Sequence, residues 1–86
     1  MATVELIFAP AALKSLRILP KRDAEALIAK LKQFAASPFS DHSFAKGLTG
    51  GGTRIRHGDW RAVCVVDGKT VTVIVVKIGN RREVYR

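Results

Sequence analysis

Eighty-six residues hold one domain, which excludes a two-domain enzyme and a deep internal cofactor cavity; any site is expected to be a shallow surface cleft. With 48% apolar and 26% charged residues, the chain is expected to fold rather than persist as a disordered tail. Fifteen Lys and Arg against seven Asp and Glu set a formal net charge of +8, an imbalance that points to a polyanion or an acidic protein as partner.

Thr3 to Phe8 alternates, with Val4, Leu6 and Phe8 on one side and Thr3, Glu5 and Ile7 on the other, the period of a strand. Pro10 suits the first turn of a helix. Leu13, Leu16 and then Ile18 or Leu19 follow at helical spacing, until Pro20 disfavours helical geometry in the residue before it. From Lys21 to Ala36, Ala24, Leu27, Ile28, Leu31, Phe34 and Ala35 form one apolar stripe of a second, amphipathic helix, with Lys21, Arg22, Glu25, Lys30 and Lys32 mostly on the other side. Ser37 to Thr53, with its Gly, Ser and Thr and only Phe39 and Phe44 as aromatic anchors, reads as a loop. Arg54 to His57, Trp60 to Val66 and Thr70 to Ile78 read as strands, punctuated by Gly58-Asp59 and Asp67-Gly68-Lys69 as hairpin turns. Arg82 to Tyr85 is a last extended piece. The expected fold is α+β: an N-terminal strand, a helical hairpin, then a mostly antiparallel twisted sheet, in the order β-α-α-β-β-β with a short further strand open.

A two-residue turn at Gly58-Asp59 pairs His57 with Trp60 and sets Arg56 directly opposite Arg61, with Arg54 on the same face by alternation. Like charges opposite one another are destabilising. Such a trio is therefore either an anion site or a solvated edge of ordinary arginines. Arg81, Glu83 and Tyr85 share one side of an extended tail; Arg81 suits a bidentate phosphate contact and Tyr85 base stacking or proton exchange. The alternative is a terminal aromatic covering the core and an Arg81–Glu83 pair.

Other features point elsewhere. Gly50-Gly51-Gly52 lacks the following Gly-Lys-Ser/Thr of a P-loop and reads as a flexible loop. His57 belongs to a turn on the side opposite Arg56, and Asp41-His42 is a single adjacent acid/base pair of low specificity. Cys64, the one cysteine, is expected to be a buried small hydrophobe. No Cys/His spacing suits zinc, so neither a metal nor another cofactor is expected. No N-terminal charged segment leads into an apolar run and no stretch approaches 18 apolar residues, so the expectation is a cytoplasmic protein with no membrane partner.

Three runs, Lys46-Gly47-Leu48, Thr53-Arg54-Ile55-Arg56-His57-Gly58-Asp59-Trp60-Arg61 and Ile78-Gly79-Asn80-Arg81-Arg82-Glu83-Val84-Tyr85, resemble the RelE/ParE superfamily of type II toxins. The likeness extends to the Leu-Pro-Lys between the helices and the Val-rich hairpin. It implies a RelE-like microbial RNase fold, a cognate acidic, RelB-like antitoxin in a heterodimer or heterotetramer, and, in the RelE branch, ribosome-dependent, metal-independent mRNA cleavage by 2′-OH attack on the adjacent phosphodiester. By motif, Arg61 and Arg81 match the phosphate-stabilising arginines, with Arg81 also placed to serve the leaving group. Tyr85 matches the tyrosine that stacks on or orients the nucleotide. Arg54 and Arg56 stand where the best-known RelE toxins carry lysines. An arginine is a poor proton acceptor near neutral pH, so Tyr85 becomes the preferred base and His57 a distant second.

Two other functions remain open on the same fold: a ParE-like inhibitor of DNA gyrase that acts by binding, and a non-toxic member that only pairs with its antitoxin. The charge divides along the chain. Residues 1–36 carry six cations, four of them Lys, against three acids; residues 37–86 carry nine, six of them Arg, against four. A Lys-weighted helical surface, including Lys14 and Arg17, is expected to dock on the ribosome, and an Arg-weighted sheet face to hold phosphate.

Overall fold

A computed structural model describes residues 5–38, 40–69 and 72–80. Strand β1 (Glu5–Phe8) leads into α1 (Pro10–Ile18) and α2 (Lys21–Ala36), followed by β2 (Ala45–Gly47), β3 (Thr53–His57), β4 (Trp60–Asp67) and β5 (Thr72–Asn80). The expected α+β order holds, and both helices keep the limits set by their prolines. Pro10 occupies the first helical turn of α1, where its missing N–H removes nothing the helix uses. Pro20 sits between the helices in an extended conformation, φ −53° and ψ 139°. Asp23 lies in the first turn of α2 and Arg17 in the last of α1, each opposite in sign to the nearby end of the helix dipole.

The sheet runs β1-β5-β4-β3-β2, with β1 parallel to β5 and the other neighbours antiparallel. Packed against α1 and α2 is a core of Ala12, Leu19, Leu27, Leu31, Phe34, Ala35, Ile55, Ala62, Cys64, Val73, Val75 and Ile78. Full burial of a Leu, Ile, Val or Phe side chain contributes roughly 1.5–3 kcal/mol, so this one face carries most of the hydrophobic stabilisation. Leu6 and Phe8 join it while Glu5 and Ile7 are exposed, as the alternation of β1 requires.

Three differences from the sequence expectation matter. First, β2 forms inside the stretch expected to be loop. It is a three-residue edge strand, Ala45–Gly47, paired to Ile55, Arg54 and Thr53; a strand this short carries too few residues for a period of two to register. Second, β5 runs on to Asn80 and contains a bulge. Val63 pairs with Lys77 but its neighbour Cys64 pairs with Val75, so Val76 is the extra residue. The bulge switches faces: Val75 and Ile78 are both buried, and Lys77 is exposed. Third, Lys30 turns towards the sheet instead of lying on the solvent side of α2, as described below. The expected extended piece Arg82 to Tyr85, with Phe39, Thr70, Val71 and Arg81, lies outside the described residues.

Candidate functional site

The turn between β3 and β4 is the two-residue turn anticipated, with Gly58 in the left-handed region at φ 56°, where a side chain is disfavoured. It fixes His57 opposite Trp60, Arg56 opposite Arg61, Ile55 opposite Ala62 and Arg54 opposite Val63. Ile55 and Ala62 are fully buried beneath the helices. Alternation therefore sends Arg54, Arg56 and Arg61 to the other, open face of the sheet.

The three arginines differ in how they sit there. Arg56 is exposed and Arg54 half-buried, whereas Arg61 is only 8% exposed. The Arg61 guanidinium folds back onto its own hairpin, where Nη1 donates to the carbonyls of Gly58 at 2.6 Å and Trp60 at 2.9 Å. Its Nε is buried without a hydrogen-bond partner. A buried donor left unsatisfied costs about 1–3 kcal/mol, so stability alone does not account for the placement. Across the strand from Arg61 on β5 lies Gly79, which brings no side chain to the face. The bulge sets this pairing: a regular register continued from Cys64 and Val75 puts Ile78 there.

The register also reveals cations that the sequence reading did not include. Lys46 on β2 pairs with Arg54, Arg54 with Val63, and Val63 with Lys77. These four form one row across the sheet, next to the row of Arg56, Arg61 and Gly79. Lys46 belongs to one of the runs that carry the resemblance, but its place on this face has no signal in the sequence because β2 has none. Lys77 carries none because only the bulge turns it outward. Among the described residues, the acids that strand alternation places on this face, Glu5 and Asp67, both pair with Thr72 at the opposite end.

On the helix side, α2 grips the hairpin. Lys30 Nζ donates to the Arg56 carbonyl at 3.1 Å and lies 3.4 Å from His57 Nδ1, and His57 Nε2 is 3.3 Å from Asp23 Oδ1. An ammonium only donates, so Nδ1 accepts from Lys30 and Nε2–H donates to Asp23, which fixes the neutral tautomer of the ring. Both ring nitrogens are thus occupied, on the face opposite Arg56. His57 has a structural place in the turn, as expected, and is not positioned as a base for chemistry on the arginine face.

The remaining candidates are structural. His42 Nε2 donates to the Ser37 carbonyl at 2.9 Å, and its ring lies 5.7 Å from that of Phe34 and 5.2 Å from that of Phe44. It thereby anchors the loop between α2 and β2 and borders an open pocket of about 160 Å³ with Asp41, Lys46 and Thr53 but none of the arginines. The glycine run closes on itself: Leu48 N–H donates to the Gly52 carbonyl at 3.0 Å and Gly51 N–H to the Leu48 carbonyl at 3.1 Å. Gly52, at φ 90°, approaches so closely that a Cβ would sit 3.2 Å from the Cys64 carbonyl oxygen. Cys64 is fully buried, and burial pushes its thiol up to about 12. Among the described residues, no three His, Cys, Asp or Glu side chains gather where a metal ion could sit, and no helix is long and apolar enough to cross a membrane. Arg81 and Tyr85 lie outside the described residues; Arg81 follows directly on Asn80, the partner of Trp60.

Residues 6–85 match the family described as the ParE toxin of the type II toxin–antitoxin system parDE. Among solved structures, a double mutant of E. coli toxin RelE in the free state is 31% identical, covers 99% of this chain and 92% of its own, and superposes with a TM-score of 0.80. The intact E. coli RelBE toxin–antitoxin complex is 28% identical, with 90% of this chain and 95% of the other covered and a TM-score of 0.78. The archaeal RelE–RelB complex from Pyrococcus horikoshii, at 23% identity, covers 92% of this chain and 96% of its own with a TM-score of 0.75 and shows the likeness of fold alone. No curated protein matches the chain significantly by sequence.

Proposed function

Since this chain belongs to the RelE/ParE superfamily and is the toxin of a type II toxin–antitoxin system, we propose that it acts as a ribosome-dependent, metal-independent endoribonuclease in the cytoplasm, silenced by an acidic antitoxin. The observation that carries this reading is the register of the β3–β4 hairpin. It brings Arg54, Arg56 and Arg61 to one face and leaves a buried donor of Arg61 unsatisfied, an arrangement that an anion relieves and that like-charge repulsion otherwise opposes.

In the reaction, the ribose 2′-OH loses its proton to a base and its oxygen attacks the adjacent phosphorus. The bond to the 5′-oxygen breaks, the leaving oxygen takes up a proton, and a 2′,3′-cyclic phosphate remains. Charge builds on the non-bridging oxygens as the attack proceeds, and fixed guanidinium groups favour that state over the ground state. Arg54, Arg56 and Arg61 serve this task and do not accept the proton, because an arginine stays charged. His57 is engaged on the other face by Lys30 and Asp23. The base is accordingly assigned to Tyr85 and the leaving-group contact to Arg81.

The test is cleavage of a defined mRNA on programmed ribosomes by the purified protein. Cuts within the A-site codon, with cyclic phosphate ends and no added metal, are expected from the wild type and lost in Tyr85→Phe, which still binds antitoxin. Undiminished cutting by Tyr85→Phe removes Tyr85 from the mechanism. A second reading, inhibition of DNA gyrase by binding, is favoured by the matching family's description as ParE. Loss of gyrase supercoiling activity on addition of the protein, with no ribosomal cuts, selects it over the nuclease.

A further inference from the structure

The β3–β4 hairpin reaches past the apolar core. Ile55 and Ala62 are its fully buried apolar pair nearest the turn, and beyond them Trp60, partly buried, is the one residue that packs against the core. This end of the hairpin carries the Arg61 guanidinium, because Nη1 is bonded to the carbonyls of Gly58 and Trp60. Any displacement of the turn therefore displaces that group.

The turn is held from α2. Asp23 and Lys30 are seven residues apart, two helical turns, and so share one face of α2 at about 10.5 Å along its axis. The His57 ring lies between them, 3.3 Å from Asp23 Oδ1 and 3.4 Å from Lys30 Nζ. The Lys30 ammonium also donates to the Arg56 carbonyl at 3.1 Å and lies 5.9 Å from the centre of the Phe44 ring. Phe44 in turn accepts at its carbonyl from the Arg56 N–H at 2.8 Å. One side chain of the helix thus meets the hairpin and the segment leading into β2 together.

These contacts add little to stability. The side chains of His57 and Asp23 keep 25% and 33% of their surface in water, where polar contacts contribute little net free energy, and fixing Lys30 in one conformation costs rotamer freedom. What they supply is geometry: three hydrogen bonds from one rigid helix set where the turn stands relative to the sheet. A misplacement of about 1 Å at a reacting group costs about 10²-fold in rate. We propose that Asp23, Lys30 and His57 are positioning residues, a clamp that fixes the β3–β4 turn on α2 and thereby aims the Arg61 guanidinium at the phosphate undergoing attack. This inference rests on the nuclease reading. None of the three touches the substrate, and all three lie on the side of the sheet opposite Arg56.

The experiment uses the full chain with Lys30→Met, His57→Phe, the double variant, and His57→Asn, whose amide oxygen takes the place of Nδ1 and still accepts from Lys30. Thermal melting checks the fold of each. In single-turnover cleavage on programmed ribosomes, Lys30→Met and His57→Phe are each expected to lower the maximal rate about 10- to 100-fold. The half-saturating ribosome concentration should stay within about twofold of the wild type, since no binding contact is removed. The double variant is expected to match the slower single variant, because two parts of one clamp are not independent, and His57→Asn to recover most of the rate. If the wild type cleaves and both single variants keep its rate, the clamp is wrong and the nuclease reading stands. Losses that multiply in the double variant show two separate actions and overturn the proposal, as does a rate that falls only in step with the folded fraction. A raised half-saturating concentration at unchanged maximal rate makes Lys30 a binding residue and overturns it too. If the wild type itself does not cleave, both readings fall together.

Discussion

At the scale of single residues, Arg61 and Cys64 are both buried but differ in what burial leaves unsatisfied. Arg61 is almost wholly buried, yet its Nη1 satisfies only backbone carbonyls of its own turn and its Nε satisfies nothing. Replacing it with Gln is expected to reduce single-turnover cleavage by about 10²–10³-fold, the usual loss when one donor to a developing oxyanion is removed. The melting temperature should fall by a few degrees only, because the lost hydrogen bonds to Gly58 and Trp60 are offset by relief of the buried, unsatisfied Nε. A loss of activity that matched the loss of folded protein would reduce Arg61 to a structural residue. Cys64 is the opposite case. Its thiol is pushed by burial from 9.0 to about 12, so the folded state holds its proton where the unfolded state releases it. Above pH 9 the unfolded chain binds fewer protons at this position, and stability falls as pH rises from about 9 towards 12. Chemical denaturation of the wild type and of Cys64→Ala across this range should show a steeper decline for the wild type; parallel curves would contradict the burial effect.

At the scale of elements, one inserted residue decides which side of β5 faces the core. With Val76 in place, Val73, Val75 and Ile78 are buried and Lys77 is exposed. A regular register with Val76 retained puts Lys77 opposite Ala62, beneath the helices, where burial of an unpaired ammonium costs several kcal/mol, a large part of the stability of a small domain. Deleting Val76 removes the bulge and keeps the pairs already formed, Lys77 with Val63 and Ile78 with Ala62, so the deletion variant is expected to fold, and Val76→Ala, at an exposed position, should change stability by less than about 0.5 kcal/mol. Far-ultraviolet circular dichroism and denaturant titration measure both, and an unfolded deletion variant would show that the bulge itself is required. The β3–β4 hairpin is fixed differently, from below, by Lys30 and by the Asp23–His57 pair. That grip connects the helix layer to the arginine face without passing through the apolar core.

At the scale of the whole molecule, cationic charge is distributed over two surfaces, the helices and the open face of the sheet. The exposed Lys14, Arg17, Lys21, Arg22 and Lys32 lie on the helices and suit docking to a polyanion. Ribosome binding is accordingly expected to weaken steeply with salt. Lys32→Gln should flatten that dependence, while Lys30→Met should not, because the Lys30 ammonium is bound to the hairpin; equal effects of the two in a filter-binding series would refute this division. The net charge of +8, both helix limits, the Gly58-Asp59 turn and the pairing of Arg56 with Arg61 were legible in the sequence, because each follows from local rules: prolines at helix ends, a tight turn and strict alternation. Three features were decided only by the tertiary structure. Strand β2 exists because β3 offers it an edge. The bulge exists because Ile78, and not Lys77, fills the core beside Ala62. Lys30 turns inward because the hairpin's carbonyl and imidazole lie within reach of α2. Each depends on partners distant in the chain, and so Lys46 and Lys77 join the arginine face only once the sheet has assembled.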